Sequence, residues 1–380
     1  MLFRSKLFRE GDDDEWGGYA LALSNIPNND FGSGAEDMIS ATRGWPKCGI
    51  FHEGRMLLGG FKSLPSSGMA SKAGEFFDFD DSSTNDDMGF AFTLQVDDVA
   101  DIFNFVSDRH LLMLTSSAEY FCLPEVDPIT PLTFVAKRNT THGSAGPGIR
   151  PLSIHGGTIF VQNNGATVRE LLFADLEQKY TAEDVMLLSA HLLDDPVDTA
   201  LLKATNPQEG DLAFLVNEDG TLAVLQTLRA QQVTAWVLWS TRGYFKAAGA
   251  DDQDVFVVTE RTIADVTERF VEHFHFNDES FLDCSVHIES GFPLTVATGL
   301  THLNGHECRA RIDGIVANGL TPAAGSVTLP FEATLSVEIG LDFPDVTGNG
   351  EGVWIKSLPV EPQVAIWRSE ERRVGKECRS

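Results

Sequence analysis

The residues with the plainest capacity for chemistry are His273-Phe274-His275. Two histidines spaced by two on a strand share one face and can present both imidazoles to a metal such as zinc. Glu272 and Asp278 stand close enough in sequence to add carboxylates. A closed site needs further converging ligands, and a junction between two domains accounts for the same segment without metal. A second candidate is the acidic stretch Asp78, Asp80, Asp81, Asp86 and Asp87. The D-x-D-x-D-G spacing of a calcium loop is absent, so this stretch reads as a solvated loop. Neither G-x-x-x-x-G-K-[ST] nor a strand-linked G-x-G-x-x-G cradles a phosphate, and no G-x-S-x-G elbow presents a nucleophile. Cys48, Cys122, Cys284, Cys308 and Cys378 are scattered and fit neither a disulfide framework nor a CxxC site. Cys122 and Cys284 lack the local signature of a Cys–His pair and read as small buried groups. The chain is therefore expected to be no enzyme and to carry neither cofactor nor metal.

The composition narrows the partners. The 380 residues include 28 basic and 56 acidic side chains, a net charge of −28. Surfaces that grip nucleic acid through phosphates are basic, so stable binding of that kind is not expected. An acidic surface keeps a protein soluble and lets a polyanion slide past it. No apolar run approaches a bilayer span, and Met1–Lys6 lacks the apolar stretch of a signal peptide, so no stable membrane association is expected. Unpaired, scattered thiols suit a reducing cytoplasm.

The elements that must position these residues are strands. Gly49–His52 and Arg55–Gly60 flank the turn Glu53-Gly54; Ala100–Phe105 and His110–Thr115 flank Ser107-Asp108. Pro151–Ile154 pairs with Thr158–Gln162 around His155-Gly156-Gly157, and Leu212–Val216 with Thr221–Leu225 around Glu218-Asp219-Gly220. Asp254–Arg261 is followed by Val266–Glu272. Each unit reads as a hairpin with Gly or Asp at the bend. Second strands begin near Arg55, His110, Thr158 and Thr221, at spacings of 55, 48 and 63 residues. That period fits propeller blades with insertions better than a sandwich. One helix is expected from Thr181-Ala182-Glu183-Asp184 through Leu193, ended by Pro196. From about Asn277 the turns tighten (Gly291, Asn304-Gly305, Asp313-Gly314, Gly325), as in a small β-sandwich or barrel.

Several segments in order resemble the tail tubular, or nozzle, family of short-tailed bacteriophages and related prophages. The first is Gly44-Trp45-Pro46, Phe51–Gly60 (including Arg55, Gly59 and Gly60) and Ser71–Phe79. The second is Leu114–Tyr120 with Pro128–Pro131; the third is Ile149-Arg150-Pro151, Phe160–Gln162 and Val168-Arg169-Glu170-Leu171. The fourth is Ala182–Leu192, with Asp184 and His191; the fifth is Asp219–Leu225, with Gly220, and Ala235-Trp236. The sixth is Arg261, Arg269–Glu272 and Gly299–Gly314. The resemblance covers most of 44 to 365. At Gly68-Met69-Ala70 the chain departs from a pattern in which an aromatic precedes the Ser-Lys. Gly44, Gly59, Gly60 and Gly220 are expected at turns or close backbone approaches. Arg55, Arg150 and Arg169 are expected to tie blades through bidentate pairs with carboxylates such as Glu170.

Arg368–Ser380 reads RSEERRVGKECRS, which is similar to the conceptual translation of a short-read sequencing adaptor. Without its five basic and three acidic residues the net charge moves from −28 to −30, and four cysteines remain. The expected organisation is an acidic loop or partial preceding element over 1–43, a propeller-like domain over 44–275, a small β domain over 276–367 truncated at its end, and an artefactual tail over 368–380. The resemblance implies a structural virion protein: a ring of identical subunits, hexameric, below the portal and adaptor and joined to other tail proteins. It implies a channel through which double-stranded DNA passes without specific binding, assembled in the host cytoplasm and resident in the virion tail. The alternative is a β-propeller binding module that recognises a host-surface glycan or protein; a secreted propeller hydrolase is a third reading.

Overall fold

Apolar runs that are too short for helices and are closed by Gly or Asp turns fold as antiparallel meanders. The computed structural model describes residues 23–30, 35–94, 100–122, 128–154, 156–205, 210–228, 233–251, 253–263, 265–274, 281–289 and 291–342, with four two-residue strands between Phe3 and Leu21. The chain forms two compact units, Met1–Leu187 and Leu188–Ser380. The boundary expected near 275, His155, His275 and the 368–380 tail lie outside the described residues.

The protein is mainly β and is built of propeller-like blades. The first blade is β1 (Cys48–His52), β2 (Arg55–Gly59), β3 (Ser67–Ala70) and β4 (Phe90–Thr93). The second is β5 (Ile102–Ser107), β6 (Leu111–Thr115), β7 (Glu119–Cys122) and β8 (Ala136–Thr140). The third is β9 (Leu152–Ile154), β10 (Gly157–Val161), β11 (Val168–Ala174) and β12 (Lys179–Asp184). In the other unit lies a fourth blade, β13 (Asp198–Leu202), β14 (Asp211–Val216), β15 (Leu222–Leu228) and β16 (Val233–Trp239). After it comes a three-stranded sheet, β17 (Tyr244–Asp251), β18 (Asp254–Ile263) and β19 (Val266–His273). Every one of these sheets is ordered in sequence order and every pairing is antiparallel. All five expected hairpins are present, with ends displaced by up to three residues.

Blades bury faces against one another. Leu111 and Met113 of β6 join Leu57, Ala70 and Phe90 of the first blade, whereas Leu112 and Leu114 join Phe160, Leu171 and Tyr180 of the third. This is why β6 is a continuous apolar run: successive side chains point to opposite faces and both faces are covered. The outer face of the first blade, with Met56, Leu58 and Met69, is covered by Met38, Ile39, Phe61 and Phe79. Residues Asn28–Asp30 and Ala35–Asp37 form a short hairpin just before Met38. In the second unit Phe214, Leu212 and Val224 of the fourth blade pack on Val255, Val257 and Phe245.

The C-terminal domain has two sheets around one core of Leu300, Leu303, Ile312, Leu329 and Ile339. One sheet contains β20 (Asp283–Ile288), β25 (Val337–Leu341), β22 (Cys308–Ile312) and β23 (Ile315–Leu320) in that order. The other pairs β21 (Leu294–Thr298) with β24 (Ser326–Ala333). The turn spacing led to an expected small β-sandwich or barrel, and the two sheets around one core take the sandwich form. Its Asp313-Gly314 turn puts both residues at positive φ, and the Asp313 carboxylate accepts the amides of Thr334, Leu335 and Ser336.

The expected helix over 181–193 is not formed. Lys179–Asp184 is a strand, with Arg169 opposite Asp184 and Ala174 opposite Lys179. Tyr180 is buried in the second-to-third blade core, which draws the segment into the sheet. The Thr181 hydroxyl donates to Leu172 O instead of capping a helix, and Asp184 accepts the Met186 amide in an i to i+2 turn. Leu187 and Leu188 are exposed, and only Ala190–Leu192 makes a single 3-10 turn.

Gly60 and Gly54 separate two reasons for a glycine. Both have positive φ, but a Cβ on Gly60 would stand 2.1 Å from Ile102 O of the second blade, whereas one on Gly54 meets nothing within 4 Å. Gly54→Ala should cost about 1 kcal/mol, the ordinary penalty of left-handed backbone, and Gly60→Ala roughly 3 kcal/mol or more because a blade contact must also open. Urea unfolding of the two variants checks this. Four donors hold the Asp313 carboxyl at a pKa of about 2, below the usual 3.8, the Ser336 amide contributing most. A lowered folded-state pKa contributes stability above the unfolded value and loses it as pH falls. Thermal melts should therefore separate wild type from Asp313→Asn most widely above pH 4, and the gap should close toward pH 2.

Candidate functional site: buried arginine clamps

Two buried arginines hold sheets to their neighbours, one in each unit. Arg55 opens β2, directly after the turn of Glu53 (φ 46°) and Gly54 (φ 74°), so its side chain leaves the tip of the first hairpin. It is 2% exposed. Its Nε donates to Ile129 O at 3.0 Å, and Nη1 donates to Ser71 O and Met88 O, each at 2.6 Å. Its Nη2 donates to Asp86 O. The Phe90 ring lies 5.8 Å from the guanidinium carbon. Burial pulls the Arg55 pKa down, opposed by the nearby carboxylates of Asp87 and Asp86. Glu53 Oε2 accepts the Ile129 amide at 2.9 Å, so one hairpin tip holds both the N–H and the C=O of a residue beyond β7. Two segments that are far apart in sequence, Phe51–Gly60 and Pro128–Pro131, thereby meet.

Arg55 does tie blades together, but through carbonyls where carboxylates were expected. Loop carbonyls left out of any ladder need donors when buried, and a guanidinium supplies five N–H groups in a fixed fork. The acidic stretch contributes its backbone to this clamp through Asp86 and Met88. Asp78, on the same stretch, accepts from Asn25 at 2.8 Å and lies 3.5 Å from Lys72. The Asn25 bond, with smaller help from the Asp80 amide and Lys72, lowers its pKa.

Arg261, on β18, is the second clamp and is 3% exposed. Its Nε and Nη2 form a fork with Glu272 Oε1 and Oε2 at 2.6 and 2.7 Å. Nη2 and Nη1 also reach Asp283 Oδ1 and Oδ2 at 3.0 and 3.3 Å, and Nη1 donates to Arg242 O at 2.9 Å. Asp283 begins β20 and also accepts from the Thr241 hydroxyl and the Arg242 amide. The three-stranded sheet is thus pinned to the C-terminal sandwich. Burial alone would lower the Arg261 pKa, but Glu272 and Asp283 outweigh it and the net shift is upward. The Cys284 thiol donates to Glu272 Oε1 at 3.5 Å. Burial pushes that thiol well above its ordinary value, and it pushes Cys48 to about 12 and Cys308 to about 11. Thiols held that high are protonated at neutral pH and are poor nucleophiles.

The other residues singled out in the sequence fall elsewhere. Arg169 donates to Gln162 Oε1 at 2.7 Å and to Ala182 O, both within the third blade. Arg150 is exposed; Pro151 precedes β9; Glu170 faces Ile159 and Glu183 across strands. Gly59 and Gly60 give the second blade room, at Phe105 and Ile102, and Gly44 lies against Lys62. Pro46 is buried, and Gly220 packs on Tyr244. Trp236 pairs with Leu225, His191 sits on the 3-10 turn, and exposed Arg269 pairs with Glu260 at 3.0 Å. His273 Nε2 lies 2.9 Å from Asp254 and its ring stacks on Phe256, while Glu272 belongs to the Arg261 clamp. Among the described residues no group of three or more His, Cys, Asp or Glu could hold a metal ion. The sequence reading missed Arg261 and Asp283 as a cluster. The signal available was an arginine in phase with Val255, Val257 and Thr259 on the buried side of β18.

No protein-family model matches the chain, and no curated protein matches it. Among solved structures, YCF48 from Cyanidioschyzon merolae is similar over 85% of this chain and 91% of that one, at 11% identity and a TM-score of 0.37. A likeness that low carries no argument, and the blades are read from the sheets themselves.

Arg261→Met should lower unfolding stability by about 3 kcal/mol, because it leaves the buried Asp283 carboxylate, and part-buried Glu272 beside it, without a counter-charge. Adding Glu272→Met and Asp283→Leu should recover much of that loss, since removing a whole buried ionic cluster is often close to neutral. Urea titrations of the single and triple variants check both.

Proposed function

We propose that this chain is a structural virion protein, a subunit of the tail tube or nozzle ring of a short-tailed bacteriophage or prophage. It acts without catalysis. Identical subunits close a ring, a hexamer, against the portal, adaptor and other tail proteins, and the ring encloses a channel for double-stranded DNA. The observation that carries this reading is the ordered series of family-like segments along most of 44 to 365. The meeting of two of those segments at Arg55 supports it. Phe51–Gly60 and Pro128–Pro131 depend on each other through Ile129, so they are expected to occur together.

The mechanism is mechanical and electrostatic. A closed ring repeats one heterologous interface by rotation. It also repeats the acidic surface of a subunit with net charge −28. Such a wall repels phosphates and lets a genome be retained and then released without sticking. The protein assembles in the host cytoplasm and resides in the virion tail.

Negative-stain microscopy of the complete gene product, co-expressed with neighbouring tail proteins, tests the reading. Rings with a central hole are expected, and isolated rings should retain no duplex DNA at physiological salt. Well-folded monomers that never join a portal complex would overturn it in favour of a β-propeller module that binds a host-surface glycan or protein.

A further inference from the structure

An asparagine followed by a glycine can react with its own main chain. The glycine nitrogen, unshielded by a Cβ, attacks the carbonyl carbon of the asparagine side chain. The amide and the nitrogen must first leave whatever hydrogen bonds hold them, and the backbone must turn to bring the two together. Three such pairs are described in this protein, Asn164-Gly165, Asn304-Gly305 and Asn318-Gly319; a fourth, Asn349-Gly350, lies outside the described residues.

Two of the three are held on both sides of the reaction. Asn164 Oδ1 accepts the Ala166 amide at 3.1 Å, its Nδ2 donates to the Thr167 hydroxyl at 3.2 Å, and the Gly165 N–H donates to Gln162 O at 3.0 Å. Asn304 Oδ1 accepts the Gly325 amide at 2.8 Å, and the Gly305 N–H donates to Pro322 O at 3.0 Å. Asn318 differs. It is exposed, and its side chain makes no hydrogen bond to any described residue.

The backbone at Asn318 is also the least restrained of the three. Strand β23 is the edge of its sheet, paired only with β22. The register steps from Cys308 opposite Leu320 to Ala310 opposite Ala317, so Asn318 and Gly319 together face Arg309. One residue too many on a strand is a bulge, which interrupts the ladder. Gly319 takes the positive φ of 73° there, and a Cβ built on it meets nothing within 4 Å. Space and conformational freedom for ring closure are therefore present in the folded state.

We infer that Asn318 is a site of spontaneous deamidation in the folded protein, and that the fold protects the same dipeptide at Asn164 and Asn304. The Gly319 nitrogen loses its proton and bonds to Asn318 Cγ; the Cγ–Nδ2 bond breaks and ammonia leaves, which closes a succinimide. Water then opens the ring at either carbonyl, giving aspartate or isoaspartate. Either product puts a carboxylate on a strand that has no charged residue and no proline and exposes Ile315 and Val316. An unguarded edge of that kind is open to pairing with other strands, and a charge is one of the features that blunts it. The inference does not depend on the proposed virion role.

Timed incubation of the full 380-residue chain at mildly alkaline pH tests it, with deamidation located by peptide fragmentation in a mass spectrometer. In the folded protein Asn318 should deamidate at least about tenfold faster than Asn164 or Asn304, the factor expected from the two or more hydrogen bonds that each of those must give up. In concentrated guanidinium the three rates should converge, because the dipeptide is the same. The Asn318 product should contain isoaspartate, read by enzymatic methylation of that residue. Equal rates at the three sites in the folded protein would overturn the inference, as would a lead of Asn318 that persists unchanged on unfolding. A product that is aspartate alone would overturn the attack by Gly319.

Discussion

A sheet of four short strands has two faces and cannot bury either by itself, and the rest of this structure answers that constraint. The second blade shows the solution. Leu111 and Met113 go one way, Leu112 and Leu114 the other, and both pairs are closed off by neighbouring sheets. Each fully buried leucine is worth about 1.5–3 kcal/mol relative to exposure, so a blade separated from its neighbours loses several such terms at once. The unit of stability is the pair of facing blades, not the blade. Close stacking in turn demands small residues where backbones cross, which explains why Gly59 and Gly60 lie against Phe105 and Ile102.

Stacked blades create a second difficulty. Their connecting loops are trapped between sheets, where carbonyl groups have neither a ladder partner nor water. Arg55 resolves this for four carbonyls with one side chain. Arg261 works in the opposite sense: its partners are carboxylates, and charge as well as geometry must be matched. The two clamps therefore respond differently to loss. Removing Arg55 strands neutral acceptors; removing Arg261 strands two negative charges, the costlier defect.

The sequence showed this architecture unevenly. Hairpins were legible because Glu53-Gly54 and Asp313-Gly314 state their turns locally, and the apolar strands around them have a period that survives reading. The 181–193 segment was misread because Thr181, Asp184 and the following leucines look like a capped amphipathic helix. Its strand state is decided by Tyr180, whose burial between blades is a long-range fact. The Arg55 clamp was legible only as an arginine near a turn. Its acceptors lie 16, 31, 33 and 74 residues away, and carbonyls leave no trace in residue identity. Asp283 was hidden for the same reason, joined to Arg261 across 22 residues of chain.

The charge of the protein follows from this internal arrangement. Among the described residues the buried arginines are Arg43, Arg55 and Arg261, and the buried acids are Glu119, Asp211, Asp283 and Glu338. The two sets nearly cancel, and each acid has an internal donor: Glu119 from Thr140, Asp211 from Ala204, Glu338 from Phe281 and Leu282. The excess of 56 acidic over 28 basic residues is thus not consumed in the cores. Among the described residues the other acidic side chains lie at surfaces and in loops such as 78–87, where they set a field instead of a fold. At physiological ionic strength that field decays over about 8 Å. A polyanion is therefore repelled only when it comes within about that distance of an acidic surface.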